Sequence, residues 1–435
     1  MRCVVMWFRR DLRLADHPAL VAAASAGVPV VPLFVVDPAF VGAGVPRRAY
    51  LNEALHSLDR SLDGALVYRN GDPTTVVAQF AAEVDADTVF VTRDYGPYGR
   101  HRDAEVASRL HADGRSLVGR GTPYAVPPGQ VVKDNGDAYA VFTPYFRRWR
   151  TVTAEPPLDP PDVSWLGAPT IPCDGAPTPL DPGFDLPEIG ETAARNRWSA
   201  FVDTALDQYE QLRDVPAVNG TSRLSADLRW GVVHPRQLLA DLVPGPSHDV
   251  FASELAWREF YADVLLRRPD SAWANLNPRF DPMHLDTDAR ARQRFDVWAA
   301  GQTGFPIVDA GMRQLLASGW MHNRVRMIAA SFLVKDLHVP WQWGARHFLN
   351  HLVDGDLASN NHGWQWVAGT GTDAAPYHRV FNPTAQGDRF DPAGEFAGRW
   401  IPELGTTSYP SPMVDHAVER TEALRRYRLV AAGAR

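Results

Sequence analysis

The sequence predicts two units, an α/β N-terminal domain on a parallel sheet and an all-α C-terminal domain. Three observations carry this. Short β-rich runs alternate with helical runs over residues 1–130. Residues 131–195 are rich in proline and read as a connector between domains. From 196 to 435 the pattern is helical throughout. Strand–helix alternation builds a parallel sheet with helices on both faces. No repeat of 20 to 50 residues is present, which excludes a solenoid or propeller.

The elements follow in order. "CVVMWF" is a continuous apolar run of strand length, and "HPALVAAASAG" is a helix closed by a glycine. "VPVVPLFVVD" gives a second strand, "RRAYLNEALHSLDRSL" a second helix and "ALVYRNGD" a third strand. "PTTVVAQFAAEV" and "DTVFVTRD" continue the series into a Rossmann-like sheet. Ligands of such sheets sit at the C-terminal strand ends, which here read "RRDLR", "VVDP" and "TRDYGPYGRHRD". "AEPPLDPPDV" and "GAPTPLDPGFDLP" cannot hold regular structure, so the connector is expected to be irregular.

Composition narrows the function. The chain has 435 residues, 45% of them hydrophobic and 22% charged, as in ordinary globular proteins. A net charge of −7 argues against a wholesale nucleic-acid coat but leaves room for a local basic face. Cys3 and Cys173 are the only cysteines, which excludes a disulfide framework and a cysteine metal site. The first residues lack the apolar core of a signal peptide, and no run is long enough to span a bilayer. A cytoplasmic monomer is the expectation, with no metal. Fourteen tryptophans, most of them after residue 190, are unusual.

Four stretches concentrate chemistry. In "NGTSRLSADLRWG", Thr221, Ser222 and Ser225 stand where a helix begins. Hydroxyls and free N–H groups there make an anion site, and an ordinary N-cap is the plainer reading. In "SELAWREFYADVLL", Glu254, Trp257, Arg258 and Tyr261 share one helical face. That is a poor core stripe, with a salt-bridged surface as the alternative. "GMRQLLASGWMHNRVRMIAASFLVK" holds Arg313, Arg324, Arg326 and Lys335 with no acid between them, and Trp320, His322, Asn323 and Met327 among them. This suits phosphate contact with aromatic neighbours, unless acids elsewhere pair with it. In "DGDLASNNHGWQW", Asp356, Asn360 and Trp364 fall on one helical face and Trp366 points elsewhere. Carboxylate, amide and indole in a row suit a flat ligand with polar edges. Buried Asn and Asp need partners, and nothing local supplies them.

Together these blocks resemble the photolyase/cryptochrome family, and within it the class I cyclobutane pyrimidine dimer photolyases. "FRRDLRLADH", "GTSRLS", "ELAWREFY", "TGFPIVDAGMRQLLASGWMHNRVRM", "ASFLVKDL", "LVDGDLASNNHGWQWVAGTGTDAAPYHRVFNP" and "PELG" occur in family order over nearly the whole chain. The resemblance implies light-driven repair of dimers in DNA by a folded FAD in its reduced, anionic form. It implies that Tyr209, Thr221, Ser222, Arg223, Leu224 and Ser225 hold the phosphate and ribose region. Arg258, Arg326, Asp354 and Asp356 would surround the ring system, and Asn360 would face its N5. Glu254, Trp257, Asn323, Arg324, Met327 and Trp366 would line the dimer pocket, and Arg213 would meet DNA. Methionine at 327, where relatives acting on 6-4 photoproducts usually place histidine, favours cyclobutane dimers.

The family's three-tryptophan electron relay is matched by Trp364 and Trp341, but Asp288 stands at the outer position, so Trp343 or a tyrosine would have to substitute. For the antenna chromophore, Tyr98-Gly99 stands where folate-binding members carry Asn-Glu. With Arg47, Asp94, Arg102 and Arg229, this resembles the 8-hydroxy-5-deazaflavin type; methenyltetrahydrofolate or no antenna is the alternative. Two other functions compete. A signalling cryptochrome would alter the dimer pocket or extend the C-terminus. A non-catalytic single-strand binder would leave Asn360 and "GTSRLS" unexplained.

Overall fold

The computed structural model describes residues 2–152, 155–168, 170–376 and 378–433. Five strands, β1 (Cys3–Phe8), β2 (Val30–Val36), β3 (Val67–Asn70), β4 (Ala86–Val91) and β5 (Ser116–Gly119), form a parallel sheet in the order β3-β2-β1-β4-β5. The α/β-plus-helical architecture expected from the sequence is the one observed. All residues of β1 are buried, as both faces of the sheet are covered. β5, an additional strand, is a short edge strand paired through Val89 and Leu117.

The two-residue period of β1 divides its side chains between two cores. Cys3, Val5 and Trp7 join Val31, Leu33 and Val77 on one face. Val4, Met6 and Phe8 join Phe34, Leu55, Trp198, Tyr209, Trp230 and Phe251 on the other. That second core includes residues of the helical domain, so the two units share buried apolar surface rather than hanging on a tether. A further core within the helical domain holds Trp298, Phe332, Trp341, Phe348 and Trp364.

The "RRDLRLADH" block turns out to fasten the domains together. Arg13 is buried and donates to the carbonyls of Gly231 (3.0 Å), Ala15 (3.0 Å) and Asp16 (2.6 Å). Asp16 in turn pairs with His234 at 2.7 Å and with Arg236. Gly231 has φ of +67°, and a Cβ there would lie 2.1 Å from the Arg10 carbonyl oxygen. Only glycine permits that approach.

The connector departs from the expectation of irregular chain. Phe142–Trp149 is a helix. Its prolines lie elsewhere apart from Pro144, which stands in the first turn where a missing N–H costs nothing. Phe142, Tyr145 and Trp149 bury one face against the Pro246–Arg267 helix. The Trp149 indole donates to Glu259 at 2.6 Å. No helix among the described residues is long and apolar enough to cross a membrane.

Candidate functional site

Two sites emerge, one in each unit. The first is a cavity of about 570 Å³ beyond the C-terminal ends of β1, β2 and β4. It lies where the strand order reverses, the usual place for a ligand in such sheets. All three strand-end motifs contribute: Arg9 and Arg10, then Asp37, then Asp94, Tyr98 and Arg102. Arg229, Trp230 and Asp356 close it from the helical domain.

Charge in this cavity is dense and mostly paired. Asp356 accepts from Arg10 at 3.0 Å and lies 3.6 Å from Arg229. Burial pushes the Asp356 carboxyl up, but Arg10, Arg229 and Arg258 outweigh it and hold it well below the usual carboxylate range. Burial, helped by Arg10, pushes Arg229 down to about 9. Arg102 sits over the rings of Trp7 and Tyr98, and Tyr98 donates to Asp37. The Arg229 Nη1 and the Trp230 indole N–H are buried with no hydrogen-bond partner among the described residues. Buried donors of that kind call for an acceptor, so the cavity suits an aromatic ligand with polar edges. Asp94, Tyr98, Arg102 and Arg229 line it as the resemblance implies. Arg47 is not among its lining residues and packs toward Phe40 and Gly355, while Arg48 is among them.

The second site is formed by three helices, Pro246–Arg267, Asn323–Ser331 and Leu357–Ala368, and the loop before Ser225–Trp230. Glu254 pairs with Arg213 at 2.8 Å, and Arg213 also stands 5.6 Å from the Tyr209 ring. Arg324 grips Asp214 through two bonds, of 3.1 and 2.6 Å, and lies over Phe390. Arg326 makes the same fork with Asp354, at 3.2 and 2.7 Å. Forked guanidinium–carboxylate pairs fix both orientation and charge. Arg223, with φ of +52°, places its guanidinium 4.4 Å over the Trp320 ring. No side chain caps the helix that follows, so the plain N-cap reading of "GTSRLS" does not hold.

His322 caps the Asn323–Ser331 helix through Nδ1, and its Nε2 is buried without a partner among the described residues. Burial pushes this imidazole down to about 4, with Arg326, Arg324 and Arg223 adding to the effect and Asp214 opposing it. Asn323 is exposed beside it, while Met327 and Trp366 are half-buried. Trp257 lies flat on Phe142, with ring centroids 3.7 Å apart and planes at 10°. One indole face is therefore covered.

Asn360 spends both N–H groups, one on the Ala345 carbonyl at 3.0 Å and one on Asn361 at 2.8 Å. Its carbonyl oxygen is left as an acceptor. Trp364 is buried against Phe348 (5.0 Å) and Trp298 (6.1 Å). Gly344 permits this, since a Cβ there would come within 2.1 Å of the indole edge.

Two groupings read from helical spacing separate in three dimensions. Arg258 leaves Glu254 and Trp257 and donates to the carbonyls of Pro123 and Leu228, both at 3.0 Å. Tyr261 stays beside Trp257, with ring centroids 5.3 Å apart, and stacks on His362. Asp356 is the N-cap of Leu357–Ala368, and its side chain turns into the first cavity, away from Asn360. Asp356 finds Arg10 and Arg229 from distant parts of the chain besides Ser359 N nearby, and Asn360 finds Ala345 besides its neighbour Asn361. Phe142, Asp214, Arg10 and Arg48 were not singled out by sequence reasoning; only the strand-end motif gave a signal, for Arg10.

Residues 4–162 match the family model described as DNA photolyase, and residues 251–408 match the FAD binding domain of DNA photolyase. A curated relative from Streptomyces griseus, a deoxyribodipyrimidine photo-lyase, is 40% identical over 97% of this chain and 98% of its own. Among solved structures, a class III photolyase from Agrobacterium tumefaciens superposes with a TM-score of 0.92 at 35% identity, covering 99% of this chain and 98% of its own. A Synechocystis cryptochrome superposes with a TM-score of 0.89 at 27% identity, covering 98% of this chain and 99% of its own.

Proposed function

The chain belongs to the DNA photolyase family, and from that premise we propose that it is a light-dependent lyase that splits cyclobutane pyrimidine dimers in DNA. One observation carries the proposal. Glu254, held by Arg213, and Trp257, with one face backed by Phe142, stand on the Pro246–Arg267 helix, which packs against the one bearing Asn360 and Trp364.

The residues fit FAD. The orphaned His322 Nε2, the partly desolvated Arg223 and the uncapped hydroxyl loop provide unfilled polar capacity. Tyr209, Thr221, Ser222, Arg223, Leu224 and Ser225 would hold the phosphates and ribose. Arg326, fixed by Asp354, would stand by the ring system. The remaining acceptor of Asn360 suits the N–H that a reduced ring carries, which supports the reduced form; the anionic state rests on the resemblance. When bound, that cofactor supplies one electron to the lesion on light absorption and takes it back after ring opening.

The protein's own residues bind and orient. A damaged pair leaves the stack cheaply. Trp257 offers its free face, and Trp366 and Met327 offer apolar walls to a saturated, non-planar lesion. Glu254 uses Oε1 on Arg213, which leaves Oε2 to accept a pyrimidine N–H and so orient the lesion. Arg213 and Arg324, oriented by Glu254 and Asp214, face the DNA. Trp364 and Trp341 pass electrons inward. Class I membership is part of this proposal and rests on the sequence blocks.

For the first cavity we favour 8-hydroxy-5-deazaflavin, a flat ring that Tyr98, Arg102, Arg229 and the Trp230 N–H could meet at its edges. A folate band near the ultraviolet edge in the purified protein, in place of a blue band, would refute this. The repair reading is tested by Glu254→Ala and Trp257→Ala. Both should lose repair under blue light while retaining FAD absorbance. Repair equal to wild type in both would remove the pocket assignment.

A further inference from the structure

A second, smaller cavity of about 240 Å³ opens onto Trp341. Its walls include Phe280, Met283 and Leu285, and among the described residues no lysine or arginine lines it. Thr370 also lines it; this residue is 1% exposed and its hydroxyl has no hydrogen-bond partner among the described residues. The Trp341 indole N–H donates to Asn275 at 2.9 Å, and Asn275 donates to Asp281 at 2.8 Å. Asn275 and Asp281 both line the cavity.

We propose that this cavity binds a small, neutral phenolic reductant against Trp341, and that electrons from outside reach the protein there. The inference rests on the reading of Trp341 and Trp364 as a relay. Asp288, at the position where an outer tryptophan was expected, caps the Ala289–Ala299 helix by accepting from Ala291 N at 2.8 Å. It cannot carry an electron hole. Trp343 is the other candidate exit, but Arg292 lies 4.0 Å over its ring. A guanidinium at that distance repels the positive charge an oxidised indole carries. Trp341 has the opposite setting, because its N–H leads through Asn275 to a carboxylate.

The ligand class follows from the walls. Apolar and aromatic sides ask for a ring, and the orphaned Thr370 hydroxyl asks for one polar partner. With Asp281 as the charged lining group, an anion is disfavoured. Each water takes about 30 Å³ in the liquid, so the space holds one substituted ring. The step balances. Trp341, having given one electron inward, takes one from the phenol; the phenolic proton passes to Asp281, and a phenoxyl radical leaves.

The test has a dark arm and a light arm on the whole protein. In the dark, 4-fluorophenol followed by fluorine NMR should bind saturably. Thr370→Val should weaken it about threefold to tenfold, the effect of one lost hydrogen bond, and Met283→Phe should abolish it by filling the mouth. In the light, with FAD bound, the rate of cofactor reduction should saturate with hydroquinone. It should become linear in Met283→Phe, lose its hydroquinone dependence in Trp341→Phe and stay saturable in Trp343→Phe. Dark binding that is absent, or unchanged in Met283→Phe, overturns the site. Intact dark binding with no light-driven reduction in any variant overturns the relay and the electron route while the site stands.

Discussion

Replacing Asp356 with asparagine should loosen both the first cavity and the site around Asn360 at once. Its carboxylate sits between Arg10 and Arg229, and its side chain is only 14% exposed. It also caps the helix that carries Asn360 and Trp364, accepting from Ser359 N at 3.1 Å. Asparagine caps a helix nearly as well as aspartate, so this variant removes the charge and keeps the cap. Breaking a buried pair costs about 3–5 kcal/mol, because the partner stays buried and uncompensated. The lower end, about 3 kcal/mol, fits here, since Arg10 is 24% exposed. Asp356→Ala should lose about 1 kcal/mol more, the worth of the cap. Urea unfolding of the three proteins measures both steps. The sign with pH follows from the lowered carboxyl. A depressed pKa gives stability that is present above the ordinary value of 3.8 and is lost as pH falls below it. The gap between wild type and Asp356→Asn should therefore be flat from pH 8 to pH 5 and close only in stronger acid. A loss under about 1 kcal/mol, the scale of an exposed ion pair, would refute the argument that this pair is buried and structural.

Phe142→Ala should weaken binding of dimer-containing DNA about threefold to tenfold, the worth of one aromatic pair, with FAD retained; gel-shift titration would show unchanged affinity if the stack on Trp257 does not position it. Glu259, pushed up to about 7 by burial against the pull of Trp149, Val126 and Ala125, should make folding less favourable as pH rises through 7. Glu259→Gln should flatten that decline in urea unfolding, and an identical pH profile would count against burial as the cause. Trp341→Phe should slow light-driven reduction of bound FAD at least tenfold, seen in its absorption spectrum, and an unchanged rate would exclude any route through Trp341.

Local signals made the sheet legible. β1 and β2 announce themselves as continuous apolar runs, and the strand-end motifs RRDLR, VVDP and TRDYGPYGRHRD all reach the first cavity. What the sequence hid was direction and distance. Helical spacing placed Arg258 beside Glu254 and Trp257, yet its long side chain swings to carbonyls of Pro123 and Leu228 from other parts of the chain. Asp356 looked like a neighbour of Asn360, but a capping residue has non-helical backbone and its side chain follows a different course. The Phe142–Trp149 helix was masked by the prolines around it, because its stability comes from burial against Pro246–Arg267 rather than from its own composition. Phe142 and Asp214 were invisible for the same reason: their partners, Trp257 and Arg324, lie more than a hundred residues away.

The most direct test of repair uses an oligonucleotide with a single thymine cyclobutane dimer and the wild-type protein, its bound FAD reduced chemically so that the electron relay plays no part. Parallel samples are kept under blue light and in the dark, and restored thymines are counted by chromatography. Restoration in the light and none in the dark is the predicted result. FAD held tightly with no thymine restored in either sample would contradict repair and make the protein a flavin photoreceptor.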